Sequence, residues 1–259
     1  MSLSIYLNTF FLAVIQGVTE WLPISSSGLL VIFEELVKLE DKNLNLLFNI
    51  AVHGGSLIAV VIYFLKDLLQ IFNNYNLIKN ILIATLPVVI VGFLIKITGL
   101  NIFLQDIKVV AFATLFFSIV LYFSDKTKVT IQFNKNISNK NALLIGLAQV
   151  LALIPGTSRS GITISCARFL GFSRVDSAKF SFLISIPVLF AACVLGFSDI
   201  VFEPNNQIII LIIFGFFVSL ITSLLCIKVF LKFVENNSLN LFVVLRIILG
   251  TVLLIYLAN

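Results

Sequence analysis

Charge is what this chain has least of. Of its 259 residues, 11% are Asp, Glu, Lys or Arg, where a soluble domain carries about 25%. That is too little to cover a water-facing surface. The three cysteines (Cys166, Cys193, Cys226) are odd in number, scattered and set in apolar stretches. They make no disulfide framework and read as packing residues. No His-x-x-x-His, paired cysteines or Asp-rich cluster supplies a metal motif. No Lys or Arg precedes Lys38, so the positive n-region expected of a cleavable signal peptide is missing. A secreted disulfide scaffold, a nucleic-acid module and a disordered regulator are excluded together.

What the chain has instead is apolar length: 60% hydrophobic residues, 26 of them Phe, and a mean hydropathy of +1.14. This composition predicts an all-α polytopic membrane protein. A spanning helix needs about 20 mostly apolar residues, and six stretches qualify: 46–65, 81–97, 109–123, 179–197, 208–227 and 240–258. The longest connector, 124–141, is polar and bears Lys126, Lys128, Lys135 and Lys140, dividing the chain into halves.

Two further apolar regions are interrupted. One runs to Trp21-Leu22-Pro23, breaks at Ser25-Ser26-Ser27-Gly28 and meets Glu34-Glu35 soon after. The other runs from Leu143 to Ile154, breaks at Pro155-Gly156-Thr157-Ser158-Arg159-Ser160-Gly161 and continues to about Leu170. The pieces after the breaks are too short to cross, and irregular backbone at membrane depth needs protein or a water-filled cavity around it. Both regions read as re-entrant broken-helix hairpins, each followed by three spans. A hairpin returns to its own side, so three spans turn the second half upside down: an inverted repeat within one integral-membrane domain, 1–259. Repeat one covers about 1–124, the linker about 125–141 and repeat two about 142–259. Interrupted helices mark the site in such folds. The alternative is that residues 3–22 form a plain seventh span.

Counting cations by side gives Lys66, Lys79, Lys126, Lys128, Lys135, Lys140, Lys228 and Lys232 on one, and Lys38, Lys42, Lys96 and Lys108 on the other. The richer side is expected in the cytoplasm. Both termini and the first hairpin then face outward from a cytoplasmic membrane.

The chemistry gathers at the breaks. Gln16 and Glu20 share one helix face, and a carboxylate in an apolar segment is a functional candidate by default. The alternative role for Glu20 is to brace the second hairpin by pairing with Arg159. Ser25, Ser26, Ser27 and Gly28 offer hydroxyls and free N–H groups at the start of a short helix, where anions bind. Thr157, Ser158, Ser160 and Gly161 repeat that arrangement, and Arg159 adds a planar fork suited to phosphate. Two such nests face to face suit a diphosphate. His53, the one histidine, is an acid, base or phosphate ligand, or else a structural hydrogen-bonding group. Arg168, Arg174 and Lys179 read as orientation charges. Arg246 faces either the cavity or a buried acid. A divalent cation (Mg2+ or Ca2+) would be shared between Glu20, Gln16 and the substrate phosphates; no organic cofactor is expected.

Gln16-Gly-Val-Thr-Glu20-Trp-Leu-Pro-Ile-Ser-Ser-Ser-Gly28 with Pro155-Gly-Thr-Ser-Arg-Ser-Gly161 resembles the integral-membrane undecaprenyl-diphosphate phosphatases that confer bacitracin resistance. The likeness extends through Phe180-Ser-Phe-Leu-Ile-Ser-Ile-Pro187 and loosely along the chain. It implies hydrolysis of undecaprenyl diphosphate to the monophosphate and inorganic phosphate, recycling the lipid carrier for peptidoglycan synthesis at the outer face of the membrane. The family's Glu/Gln-x-x-x-Glu motif maps to Gln16 and Glu20, its nucleophilic serine to Ser26 and its phosphate-clamping arginine to Arg159. Typical members have a histidine directly after the serine run, where this chain has Leu29; His53 is the residue that could substitute. The expected partners are a polyprenyl diphosphate and membrane lipids, with no nucleic acid, and a homodimer is compatible. The prenyl tail would lie on Phe-rich surface such as Phe112, Phe116 and Phe117. The competing readings are a lipid-phosphate flippase on the same repeat and a catalytically impaired paralogue.

Overall fold

The computed structural model describes residues 3–26, 29, 42–71, 75–99, 106–131, 137–197 and 206–258. Among these the chain is helical, with one isolated bridge between Ile131 and Phe172 as its only β pairing. The helices are α1 (Leu3–Thr19), α2 (Lys42–Tyr63), α3 (Leu65–Ile71), α4 (Tyr75–Thr98), α5 (Ile107–Asp125), α6 (Asn139–Val150), a 3₁₀ turn (Leu151–Leu153), α7 (Arg159–Phe169), α8 (Arg174–Phe197), α9 (Asn206–Asn236) and α10 (Asn240–Ala258).

Six of them are long and apolar enough to cross a membrane: α2, α4, α5, α8, α9 and α10. They coincide with the six apolar stretches and extend them at several ends, because polar residues such as Lys79 and Arg174 join the helix once its backbone is satisfied internally. α1, α6 and α7 are shorter, at 17, 12 and 11 residues. At 1.5 Å per residue that is about 25, 18 and 16 Å, less than the hydrocarbon thickness of about 30 Å. Caps define the breaks and turns. Asp106 accepts from Lys108 N at 2.8 Å to start α5, Ser138 caps α6 and Ser158 caps α7.

The outer ends of α6 and α7 meet the same end of the bundle. Asn80, early in α4, donates to the Ile137 carbonyl just before α6. Arg168, in the last turn of α7, donates to the carbonyls of Phe172, Asp125 and Thr127. Arg174 forks onto Asp125 at 2.6 and 3.0 Å, and Asp125 also accepts from Leu239 N at 3.0 Å. The ends of α5, α7, α8 and α10 are therefore latched by a buried polar cluster. Arg168 and Arg174 serve it, rather than acting only as orientation charges.

α1 packs against α9 and α2, α6 against α4, α2 against α8 and α9, and α5 against α10. Lipid exerts no hydrophobic force between helices, so close approach relies on small residues and hydroxyls. A Cβ on Gly55 would stand 2.4 Å from the Phe216 carbonyl oxygen, and one on Gly17 2.9 Å from that of Ser219. The Ser56 hydroxyl meets Ser219 and Ser223 at 3.1 and 3.0 Å. Those two bond onward to the carbonyls of Val52 and Gly17. This serine stack pins α1, α2 and α9 beside Gln16 and His53.

Candidate active site

The two breaks lie against each other. After α1 the chain turns through Glu20–Ser25, and Ser26 is again helical; Ser27, Gly28 and the segment 30–41, which holds the expected return limb, lie outside the described residues. Trp21 is fully buried and sets its ring edge-on to Phe182 at 5.1 Å, which fixes the turn after α1 onto α8.

The second break needs two unusual backbone conformations. Gly156 has φ +94, and a Cβ there would stand 2.3 Å from the Val110 carbonyl oxygen, so only glycine fits. Ser158, with φ 67, is the one non-glycine residue at positive φ among those described. Such strain, about 1–3 kcal/mol, persists only where the surroundings hold it. Here the Ser158 hydroxyl caps α7 on Gly161 N at 3.2 Å and meets the Ser160 hydroxyl at 3.3 Å.

Across the junction the Arg159 guanidinium donates to Glu20 Oε1 at 2.7 Å. It also donates to the Ser181 carbonyl at 3.3 Å and lies 5.7 Å from the centre of the Trp21 ring. The Ser160 hydroxyl donates to the Leu22 carbonyl at 2.9 Å. Glu20 Oε2 accepts from Gln16 Nε2 at 2.8 Å, and the same amide nitrogen lies 3.1 Å from His53 Nε2. His53 Nδ1 stands 2.7 Å from the Asn49 carbonyl oxygen. A carbonyl can only accept, so Nδ1 carries the proton and Nε2 presents its lone pair to the Gln16 amide. His53 Nε2 is 3.8 Å from Glu20 Oε2. The imidazole thus stands one amide away from the carboxylate.

A cavity of about 240 Å3 opens at this junction, lined by Thr19, Glu20, Ser26, residues 152–156, Ser158 and Arg159. Glu20, Ser26, Ser158 and Arg159 meet there, with Gln16 and His53 behind Glu20. Ser25 and Thr157 are fully buried and Ser160 nearly so; none of the three lines the cavity. Instead of an open nest, the start of α7 has its Gly161 N–H taken by Ser158. Leu29 is half-buried against the apolar core.

Reading the sequence alone passes over Ser181, whose carbonyl holds Arg159 and whose hydroxyl meets Thr163 at 2.7 Å. Its only signal is the Phe-Ser-Phe-Leu-Ile-Ser run in which it sits. Among the described residues Arg246 forms no ion pair with an acid and is not in the lining of the cavity between the breaks. It is fully buried and donates to carbonyls of both breaks. Among the described residues no three His, Cys, Asp or Glu side chains group as a metal site. Glu20 offers hard oxygen donors at the cavity, whereas Gln16 turns its amide nitrogen toward Glu20 and is not among the lining residues. Of the two, Glu20 is the one that suits a magnesium- or calcium-like ion bringing most of its ligands as phosphates and waters.

The family profile described as bacitracin resistance protein BacA matches residues 9–252. Among curated relatives, an undecaprenyl-diphosphatase of Pelagibacter ubique (strain HTCC1062) is 41% identical, covering 98% of each chain. One of Aliivibrio salmonicida (strain LFI1238) is 37% identical, again over 98% of each. One of Roseobacter denitrificans is 38% identical over 96% of this chain and 97% of its own. With the family profile spanning nearly its whole length, and the two motifs meeting at one cavity, this chain belongs to the BacA family.

Proposed function

We propose that this protein is a membrane phosphatase that hydrolyses undecaprenyl diphosphate to undecaprenyl phosphate and inorganic phosphate. It thereby returns the carrier lipid to peptidoglycan synthesis and confers resistance to bacitracin. The observation that carries this reading is the meeting of Arg159, Glu20 and Ser26 around one cavity, built from two breaks far apart in sequence.

The arriving diphosphate takes the Arg159 fork, since charge-assisted bidentate contacts to phosphate are among the strong ones. Glu20 is thereby released from its resting ion pair. The Ser26 hydroxyl, or a water held by it, attacks the terminal phosphorus. The new O–P bond forms as the anhydride P–O bond breaks, and the lipid monophosphate leaves. Glu20 takes the proton, with His53 behind it through the Gln16 amide. If Ser26 is the nucleophile, water then hydrolyses the phosphoserine and restores the hydroxyl. A divalent cation held by Glu20 and the phosphates would neutralise charge on the transferred group. Arg159 and the backbone of the breaks do most of the work, because phosphoryl transfer depends on positioning and electrostatics.

The prenyl tail is assigned to an apolar groove of about 570 Å3 between α2, α8 and α9, lined by residues such as Ile50, Gly54, Phe190 and Phe216. α2 carries both this groove and His53, which links tail and head group on one helix. Phe112 and Phe116 of α5 are exposed outside this groove. The packing of α1 on α9 and of α6 on α4 supports an inverted repeat, in which each hairpin rests on a span of the other half. Outward-facing termini and an outward-opening cavity follow from the lysine count. Impermeant thiol reagents applied to intact cells, on single cysteines placed at Lys96 and Lys126, test that orientation: position 96 should react and position 126 should not.

The test of activity is phosphate release from undecaprenyl diphosphate by the purified protein in detergent, with and without magnesium or calcium. Equimolar phosphate and lipid monophosphate are expected. A lipid-phosphate flippase is the second reading, favoured by Leu29 standing where the resemblance expects a histidine; it predicts head-group binding without phosphate release.

A further inference from the structure

We propose that Arg246 is a positioning residue: its fork holds the two breaks in register and so sets where Ser26 and Arg159 stand relative to each other. The inference rests on the functional reading of the cavity given above.

Arg246 lies about 9 Å into α10 and is fully buried. Its Nη1 donates to the Ile24 carbonyl at 3.3 Å, with that of Pro23 at 3.5 Å, two residues before Ser26. Its Nη2 donates to the Gly156 carbonyl at 2.9 Å, three residues before Arg159. Nε and Nη2 share the Thr114 carbonyl of α5 at 3.4 and 3.3 Å. A Cβ on Gly161 would stand 3.1 Å from Nη1, so the guanidinium also packs on the first turn of α7.

Every hydrogen-bond partner is a carbonyl, and among the described residues no carboxylate forms an ion pair with it. A cation buried in a membrane protein without a counter-ion is expensive, and filling space alone would call for an aliphatic side chain. What the site requires is donors. Carbonyls in an interrupted helix have lost their intrahelical partners, and lipid supplies none. That of Gly156 also accepts from the Thr114 hydroxyl at 3.3 Å, whereas among the described residues the guanidinium alone joins it to Ile24. A planar fork can serve two separate segments at once. A lysine ammonium keeps the charge but is a single point that cannot bridge them.

Trp21, the one tryptophan, sits between Phe182 and Arg159 and reports how tightly the breaks are packed. The test pairs acrylamide quenching of Trp21 with phosphate release from undecaprenyl diphosphate, for wild type, Arg246→Lys and Arg246→Met in detergent. Wild-type Trp21 should be nearly inaccessible, and both variants should raise its quenching severalfold. Arg246→Lys should lower kcat about 100-fold, the cost of misplacing reacting groups by about an ångström. Its KM, helix content and monodisperse elution should stay close to wild type. Wild-type kcat and quenching in Arg246→Lys would overturn the proposal, as would a loss of kcat that only tracks loss of folded protein. If the wild type itself releases no phosphate, the functional reading fails, and the quenching still decides whether Arg246 holds the breaks.

Discussion

Arg159 and Glu20 meet at 2.7 Å across the two helix breaks, with side chains 13% and 10% exposed. The cation suited to clamp a phosphate thus rests on the anion suited to act beside it. The ion pair braces the second break, and in the proposed reaction the same two groups act on the substrate. A diphosphate arriving on Arg159 would displace the carboxylate, leaving Glu20 to its hydrogen bond from Gln16 and to the cavity.

Removing one partner leaves the other buried and unpaired. Arg159→Ala is expected to lower stability by about 3 kcal/mol and to abolish phosphate release. Glu20→Gln, which keeps an acceptor for Arg159, should lose less stability but still lose most activity. The double variant Glu20→Gln/Arg159→Ala should cost less stability than the two single losses added, because the residues are in contact. Thermal unfolding of the four proteins in one detergent checks this; additive losses would mean that the pair is not coupled.

His53 presents its Nε2 lone pair toward Gln16 and Glu20, its ring held by the Asn49 carbonyl. His53→Gln should therefore lower kcat by about 100-fold, within the range for a lost general base. The lipid's KM should change little. A kcat within about twofold of wild type would make His53 a structural hydrogen-bonding group, against the magnitude expected of a base.

Neighbouring glycines on α2 should behave differently. A Cβ at position 55 would stand 2.4 Å from the Phe216 backbone, whereas one at 54 would make only 3.7 Å contacts with the Phe216 ring. Gly55→Ala must push α2 from α9 and should cost about 1–3 kcal/mol, taking activity with it because α2 carries His53. Gly54→Ala should be near neutral in thermal midpoint. Equal midpoints for the two variants would contradict the packing of α2 on α9.

Much of this arrangement is legible in the residues. The six spans follow from apolar length, since a segment in lipid must satisfy its own backbone and a run of about 20 residues can do so. The breaks follow from Pro, Ser and Gly interrupting such runs, and Glu20 and Arg159 stand out because charge in apolar segments is costly. What could not be read is which distant segments touch. Nothing local to Arg246 says that its partners are Ile24 and Gly156, at separations of 222 and 90 residues. Ser181 contributes to the site through its carbonyl, which every residue has. Arg168 and Arg174 follow the loop pattern of orientation charges, yet they latch helix ends through Asp125 and neighbouring carbonyls. Ser160 and Thr157 carry the composition of an anion nest, but Ser160 is turned onto the Leu22 carbonyl and Thr157 is fully buried.

On the proposed function, the cavity between the breaks both binds and hydrolyses undecaprenyl diphosphate. The direct measurement follows bound lipid and released phosphate on the same samples of wild type, Ser26→Ala and Arg159→Ala. Wild type should bind and release, Ser26→Ala should bind without releasing, and Arg159→Ala should do neither. Wild type that binds the lipid and releases no phosphate would contradict the account.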